Sequence, residues 1–370
     1  MLKTLVDTFW SEHVWLPPNV TWDDIAPGPD KAVNYNDHTH VWYPIPLALG
    51  FIGLRCVVER GVLAPFGRYL GIKDVRSRKA PDNPKLEAAY RKSVTPKFTE
   101  LAKQTDLSER QIERWFRRRR NQDKPSTLTK FCENAWKVIF YISNFLFGFY
   151  VLWDKAWLWD IDQCYVGYPH HGVTNDVWWY YTISSAFYWS LMISQFWDVR
   201  RKDFWQMFVH HVATIALLSF SWVCNLHRIG TLVLLCHDLS DIFVESVKAA
   251  KYAKYQKLCD ALFLMLIVTW IGTRIGVYPF YIIRSTSIRA PQLLPLFPAY
   301  YIFNTLLCLL LALHVVWTWL ILLIAYNTIK AGQMEGDIRS SNSELSSSPH
   351  DSGRATPNHN HLNHNNHKNE

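Results

Sequence analysis

Five ionisable side chains lie where the surrounding sequence is apolar. The stretch FWQMFVHHVATIALLSFSWVC carries His210 and His211 side by side, and IGTLVLLCHDLSDIFVESV carries His237, Asp238 and Asp241. On a helix, residues three or four apart share a stripe, so Asp241 lies on one face with both Asp238 and His237. Adjacent His210 and His211 diverge by ~100°, so one can react while the other donates a hydrogen bond or touches substrate. A histidine within reach of a carboxylate is a general base, or a nucleophile with an oriented tautomer, which is the chemistry needed to acylate a neutral amine. The competing reading is a polar network that only holds two helices together. A carboxylate at the centre of a bilayer costs at least ~2.5 kcal/mol, and five such groups at one depth favour function. Metal binding ranks below catalysis, because HH followed by HD is not an established ligand spacing.

The elements that position these groups are long apolar stretches. Of 370 residues, 49% are hydrophobic, with 18 Trp, 18 Tyr and 20 Phe, and the chain reads as an all-α polytopic membrane protein. Seven spans are expected, at 41–58, 131–153, 177–197, 204–224, 229–247, 258–283 and 300–326. The first is the weakest, since it contains Pro44, Pro46 and Arg55. The few residues from Asn225 to Arg228 make the fourth and fifth spans antiparallel neighbours. A fold-back at 225 sets position 210 opposite 240, ~9 Å from the cytosolic end.

Basic residues after the first, third and fifth spans, including Arg200, Arg201 and Lys202, mark one side as cytosolic. The opposite, lumenal side receives the acidic N-terminal segment and the only glycosylation sequon, at Asn19. An odd number of spans then leaves the N-terminus lumenal and the C-terminus cytosolic. The N-terminus does not read as a cleavable signal peptide, because acidic residues interrupt its apolar runs. The seven cysteines are scattered and predict neither a disulfide framework nor a zinc site. The sequence implies five parts: a lumenal segment 1–40, a first transmembrane helix 41–63, a cytosolic insert 66–125, a catalytic transmembrane domain 130–330 and a disordered cytosolic tail 331–370. In the tail, Ser341 and Ser348 each precede an acidic residue by three positions and suit an acid-directed kinase. A solvated spacer is the plainer reading of that tail.

The insert holds the whole excess of positive charge: Lys73 to Lys124 has 16 Lys and Arg against 8 Asp and Glu, in a chain of net charge +8. A helix opening at Thr95-Pro96, a turn at Thr105-Asp106 and a second helix are predicted. The second helix has a capping box of Ser108 and Gln111, a staple of Leu107 and Ile112, and the stripe Ile112, Trp115, Phe116. This pattern resembles the helix-turn-helix half of a homeodomain. Arg118 stands where a homeodomain carries its base-reading Asn, so adenine readout is lost and specific DNA binding is disfavoured.

The run from Arg200 to Tyr255, with its His pair, Thr214, Arg228-Ile229-Gly230 and HDxSD, closely resembles the signature of the ceramide synthases within the TLC-domain superfamily. That resemblance implies six helices forming the TLC barrel and a membrane of the endoplasmic reticulum, with the nuclear envelope also open. The implied enzyme is a sphingosine N-acyltransferase that moves a fatty acyl group from acyl-CoA to a sphingoid base. It implies no tightly bound cofactor, acyl-CoA as co-substrate, membrane lipids as surroundings, and homo- or hetero-dimers with related enzymes. The family's catalytic residues carry over to His210 and Asp241, with His211 and Asp238 as companions and His237 in support. His210 is then either a nucleophile forming an acyl-histidine or a base for direct attack by the amine. Arg200, Arg201 and Lys202 become candidates for CoA contact, against simple positive-inside anchoring. Arg274 reads as a structural partner of an acidic or carbonyl group. The segment 287–298, with Pro291, Leu294 and Phe297, maps to the loop that tunes acyl length in the family. The alternatives are a non-enzymatic lipid sensor or nucleic-acid-binding regulator acting through the insert, and a transporter, for which no internal repeat is found.

Overall fold

A computed structural model describes residues 8–74, 79–93, 97–199 and 201–331, and every regular element among them is helical. Helix α1 (Pro44–Val58) runs without a break through a π-helical turn, Glu59–Leu63, into Ala64–Tyr69. The first helix thus takes in residues 66–69, which the sequence had suggested for the insert. Arg55, the feature that weakened this span in sequence, is ion-paired: its guanidinium donates to both oxygens of Asp198 at 2.9 and 2.8 Å and to Glu59 at 2.7 Å.

Three short helices follow, α2 (Pro84–Lys92), α3 (Phe98–Thr105) and α4 (Glu109–Gln122). The turn between α3 and α4 comes where Asp106 adopts a left-handed conformation (φ 54°), and the Ser108–Gln111 capping box opens α4. Leu86, Leu101, Ile112, Trp115 and Phe116 form the small core, with Leu107 packed on its edge. Helix α2 was absent from the sequence expectation, although Asn83-Pro84 carried its signal. The Asn83 side chain accepts from the backbone N–H of Lys85 and Leu86, and Pro84 occupies the first turn.

The remaining long helices are α5 (Thr127–Leu152), α6 (Asn175–Ser194), α7 (Phe204–Val223), α8 (His227–Tyr252), α9 (Gln256–Trp270) and α10 (Ala299–Ala331). Helix α9 continues as a π-helix over Ile271–Ile283, where Pro279 removes a backbone donor. Among the described residues, five helical runs are long and apolar enough to cross a membrane: those containing α1, α5, α7, α9 and α10. Helices α6 and α8 stand at the other two expected spans. Trp, Tyr and Ser in α6, and the His and Asp residues in α8, replace the aliphatic residues that would raise their hydropathy.

Helix α8 packs chiefly along α5 and α9, while α6 lies on α1 and α10 against α7. The connection between α7 and α8 turns at Asn225, whose φ is 58° and whose amide donates to the carbonyls of Pro169 and His171 at 2.6 and 2.8 Å. Arg228-Ile229-Gly230 belongs to the first turns of α8 rather than to the turn itself. Gly230 is required there because a Cβ would stand 2.5 Å from the Tyr181 hydroxyl.

In the insert, Arg119 binds Glu87 at 2.9 Å and Asp123 at 2.5 Å, and the Tyr90 hydroxyl donates to Asp123 at 2.8 Å. The Arg119 hydrogen bond holds the Glu87 carboxyl below its ordinary range. For Asp123, burial pushes upward, but Arg119 and Tyr90 outweigh it and the net direction is down. Depressed carboxyl values mean that these contacts are intact above about pH 4, the unfolded carboxylate range, and are lost as pH falls through the folded values. Amide-exchange protection of α2 in the full chain should therefore drop on acidification below that range. The drop should be smaller in Glu87→Gln; equal pH sensitivity in both proteins would contradict the assignment.

Candidate active site

The two histidines of α7 are both buried, but they have different neighbours. Gln195 donates through its Nε2 to the Phe204 carbonyl at 2.7 Å, which turns its Oε1 toward His211 Nδ1 at 2.9 Å. That nitrogen therefore donates, and Nε2 of His211 keeps the lone pair. His210 packs edge-on to Trp317 with ring centroids 5.4 Å apart, and its buried Nδ1 has no hydrogen-bond partner among the described residues.

The carboxylates of α8 are held by other helices. Asp241 accepts from Arg274 Nη2 at 2.8 Å, and Asp238 accepts from Asn144 of α5 at 2.6 Å. Neither carboxylate hydrogen-bonds to His210 or His211 among the described residues, contrary to the contact expected from a fold-back at 225. Arg274, which lies in the π-helical continuation of α9, is 2% exposed and fully engaged. It donates to Ser240 Oγ at 2.8 Å, to the His237 carbonyl at 3.0 Å and to His314 Nε2 at 3.0 Å, as well as to Asp241. His237 Nδ1 donates to the Val233 carbonyl at 2.7 Å, leaving its Nε2 buried and unpartnered.

Two chambers meet at this level. The polar chamber, about 1000 Å³, is bordered by His210, His211, Asp241, Arg274 and Trp317. The apolar chamber, about 970 Å³, runs past Thr214, His237 and the aliphatic faces of α7, α8 and α10 to Pro291, Leu294 and Phe297. Tyr188 borders both. A file of rings joins them: His237 to His314 at 5.0 Å, His314 to Trp317 at 6.4 Å and Trp317 to His210 at 5.4 Å.

The sequence candidates thus separate. His210, His211 and Asp241 share the polar chamber, His237 faces the apolar one, and Asp238 borders neither, bound instead to Asn144. Arg201 borders the polar chamber and donates to Asn134 at 3.0 Å, Lys202 is exposed and outside the lining, and Arg200 lies outside the described residues. Residues 287–293 are largely helical, and only 294–298 form an open loop. Asn19 is exposed on a left-handed turn (φ 68°), whereas Ser341 and Ser348 lie outside the described residues. Sequence reasoning missed Asn144, Gln195 and His314, together with Lys137 and Lys248, which border the polar chamber bound to Glu133 and Glu245. A polar residue inside an apolar run was the available signal for Asn144 and His314.

The fold and its paired chambers define a helical, multi-pass membrane protein of the TLC-domain class: the TLC domain model matches residues 130–323, and a homeodomain model matches residues 83–125. The chain is 42% identical to human ceramide synthase 5 over 92% of its own length and 87% of the relative's. It is 40% identical to human ceramide synthase 4 over 94% and 89%, and 36% identical to ceramide synthase hyl-1 of Caenorhabditis elegans over 90% and 83%. The chain belongs to the ceramide synthase family and is an acyltransferase.

The Arg274–Asp241 pair sets a stability test. Arg274→Met leaves the Asp241 carboxylate, 19% exposed, without its partner and should cost about 2–3 kcal/mol, below the full penalty for a wholly buried pair, whereas Arg274→Met/Asp241→Leu should recover a large part of that loss. Thermal unfolding of the purified protein in detergent measures both. Additive losses in the double variant would show that the two side chains do not act as a pair.

Proposed function

We propose that this enzyme joins a fatty acyl group to the amine of a sphingoid base at the junction of the two chambers, with His210 as the reacting group. The acyl chain occupies the apolar chamber, the thioester lies at the level of His210, and CoA extends from the polar chamber toward the cytosol. The observation that carries this reading is a band of unpartnered polar atoms at the junction. His210 Nδ1 and Trp317 Nε1 lie on the polar side, with Thr214 Oγ1 and His237 Nε2 on the apolar side. Buried polar atoms without partners are costly, and a substrate carrying a thioester, an amine and hydroxyls at this level satisfies them.

In the covalent route, an unprotonated nitrogen of His210 attacks the thioester carbonyl. The C–N bond forms, the C–S bond breaks, and CoA leaves as its thiolate. The amine then attacks the acyl-imidazole, forming the amide, releasing His210 and giving up a proton. In the direct route, His210 takes the amine proton while the amine nitrogen attacks the thioester; the C–N bond forms, the C–S bond breaks, and CoA leaves as its thiolate, which takes the proton from His210. His211, tethered to Gln195, and Asp241, tethered to Arg274, position the site in either route. The freedom of His210 from internal hydrogen bonds supports its assignment as the reacting imidazole.

In this reading the chain crosses seven times, with the polar chamber and Arg201 at the cytosolic face of the endoplasmic reticulum and Asn19 in the lumen, available for glycosylation. The basic insert then lies on the cytosolic side, beside the membrane. The direct test is turnover of membranes supplied with acyl-CoA and a sphingoid base. His210→Ala should lower turnover by at least about a hundredfold, and unchanged turnover would exclude His210 as the reacting group.

A further inference from the structure

The mechanism uses nothing from the N-terminal segment, yet that segment is firmly built. Trp15 is 1% exposed and Leu16 equally buried. Trp15 Nε1 donates to the Phe9 carbonyl at 2.5 Å, Trp22 Nε1 to the Trp10 carbonyl at 2.9 Å, and the Trp22 backbone N–H to Glu12 at 2.9 Å. These bonds fold residues 9–22 into a compact aromatic knot. The Trp15 ring stands 4.7 Å from Phe220 and 6.4 Å, edge-on, from Phe303.

Phe303 belongs to the apolar chamber, as do Phe297, Leu294, Leu217 and Leu226, and these five pack into one cluster with Trp15. Trp15 and Phe220 are not among the lining residues and stand behind them. Tyr168 braces Phe297 from the same side. The two rings lie stacked with centroids 6.2 Å apart, and the Tyr168 hydroxyl donates to the Cys224 carbonyl at 2.8 Å. This wall closes the end of the chamber remote from the reacting histidine. Along α7, Ser221 lies eleven residues beyond His210, and along α10 Phe303 lies eleven residues from His314. At 1.5 Å per residue both intervals are about 16 Å.

We propose that the N-terminal segment Phe9–Trp22 backs the closed end of the acyl chamber. Trp15 is a positioning residue that limits acyl-chain length by holding Phe303 and Phe297 in place. The proposal rests on the reading that the acyl chain occupies the apolar chamber. The physical basis is that a pocket wall resists a longer chain only as far as the layer behind it is packed. Truncating a buried Trp opens a cavity into which the wall can retreat. Because an added methylene in an apolar pocket changes discrimination by roughly 10–200-fold, a retreat of one methylene is readily measured.

The test uses the full-length protein in membranes with a graded series of saturated acyl-CoAs and one sphingoid base. In Trp15→Ala, kcat/KM for chains longer than the wild-type optimum, relative to the optimum, should rise at least about tenfold. Trp15→Phe should lie between Ala and wild type. Should Trp15→Ala fail to accumulate, Trp15→Leu carries the same prediction with a smaller shift. An equal loss at every chain length, or an unchanged profile, overturns the proposal, since a merely structural role has no reason to favour longer chains. Leu218→Phe, which narrows the chamber from within, separates the two levels of inference. A shift toward shorter chains in Leu218→Phe without any shift at Trp15 rejects the backing role alone. Absence of a shift in both rejects the placement of the acyl chain.

Discussion

A single buried guanidinium at the edge of the polar chamber sets how three helices meet. Arg274 is 2% exposed and must find all its partners inside the protein. It takes Asp241, Ser240 and the His237 carbonyl from α8 and His314 from α10. Three helices are thereby fixed in rotation as well as in position, because the fork of a guanidinium accepts partners only in its own plane. The π-helical stretch that carries Arg274 follows from the same demand: Pro279 disrupts the regular ladder, and the widened backbone supports a buried charge at a functional level.

Asp241 is held by Arg274 and Asp238 by Asn144, so neither carboxylate hydrogen-bonds to the histidines of α7 among the described residues. One is anchored through Gln195, and the other has a buried Nδ1 with no hydrogen-bond partner among the described residues. This division assigns roles that the adjacent pair does not reveal in sequence. It also explains how a membrane enzyme can bring together a polar thiol ester of CoA and an apolar chain. A polar chamber and an apolar chamber share Tyr188, and His210, the proposed reacting side chain, borders the polar one.

Much of this was legible in the residues themselves. The ionisable groups in apolar runs stood out because burial makes them expensive, and His210, His211, His237 and Asp238 are indeed buried; the capping box with the stripe Ile112, Trp115, Phe116 marked α4. The separation of the α7 histidines from the α8 carboxylates was not legible. A short connection specifies that two helices are joined, but not which face each presents, and the main partners of α8 are α5 and α9. The role of Arg274 was partly visible, as a rare charge in need of a partner. His314 and Asn144 obey the same rule but lie singly in apolar runs, without a neighbouring motif to draw attention to them. The N-terminal segment looked like an acidic lumenal lead-in because its Trp residues follow no helical or strand period. Their burial arises from packing against distant residues, Phe220 and Phe303.

The central claim is that His210 is the reacting group at the junction of the chambers; in the covalent route it carries the acyl group. It is tested most directly by intact-mass analysis of the purified protein incubated with acyl-CoA in the absence of a sphingoid base, followed by peptide mapping. The account predicts one acyl adduct on the peptide containing His210, discharged by addition of a sphingoid base and absent in His210→Ala. An adduct that persists in His210→Ala would contradict it, whereas an active wild-type enzyme that never accumulates acyl-protein would reject the covalent route and leave the direct one.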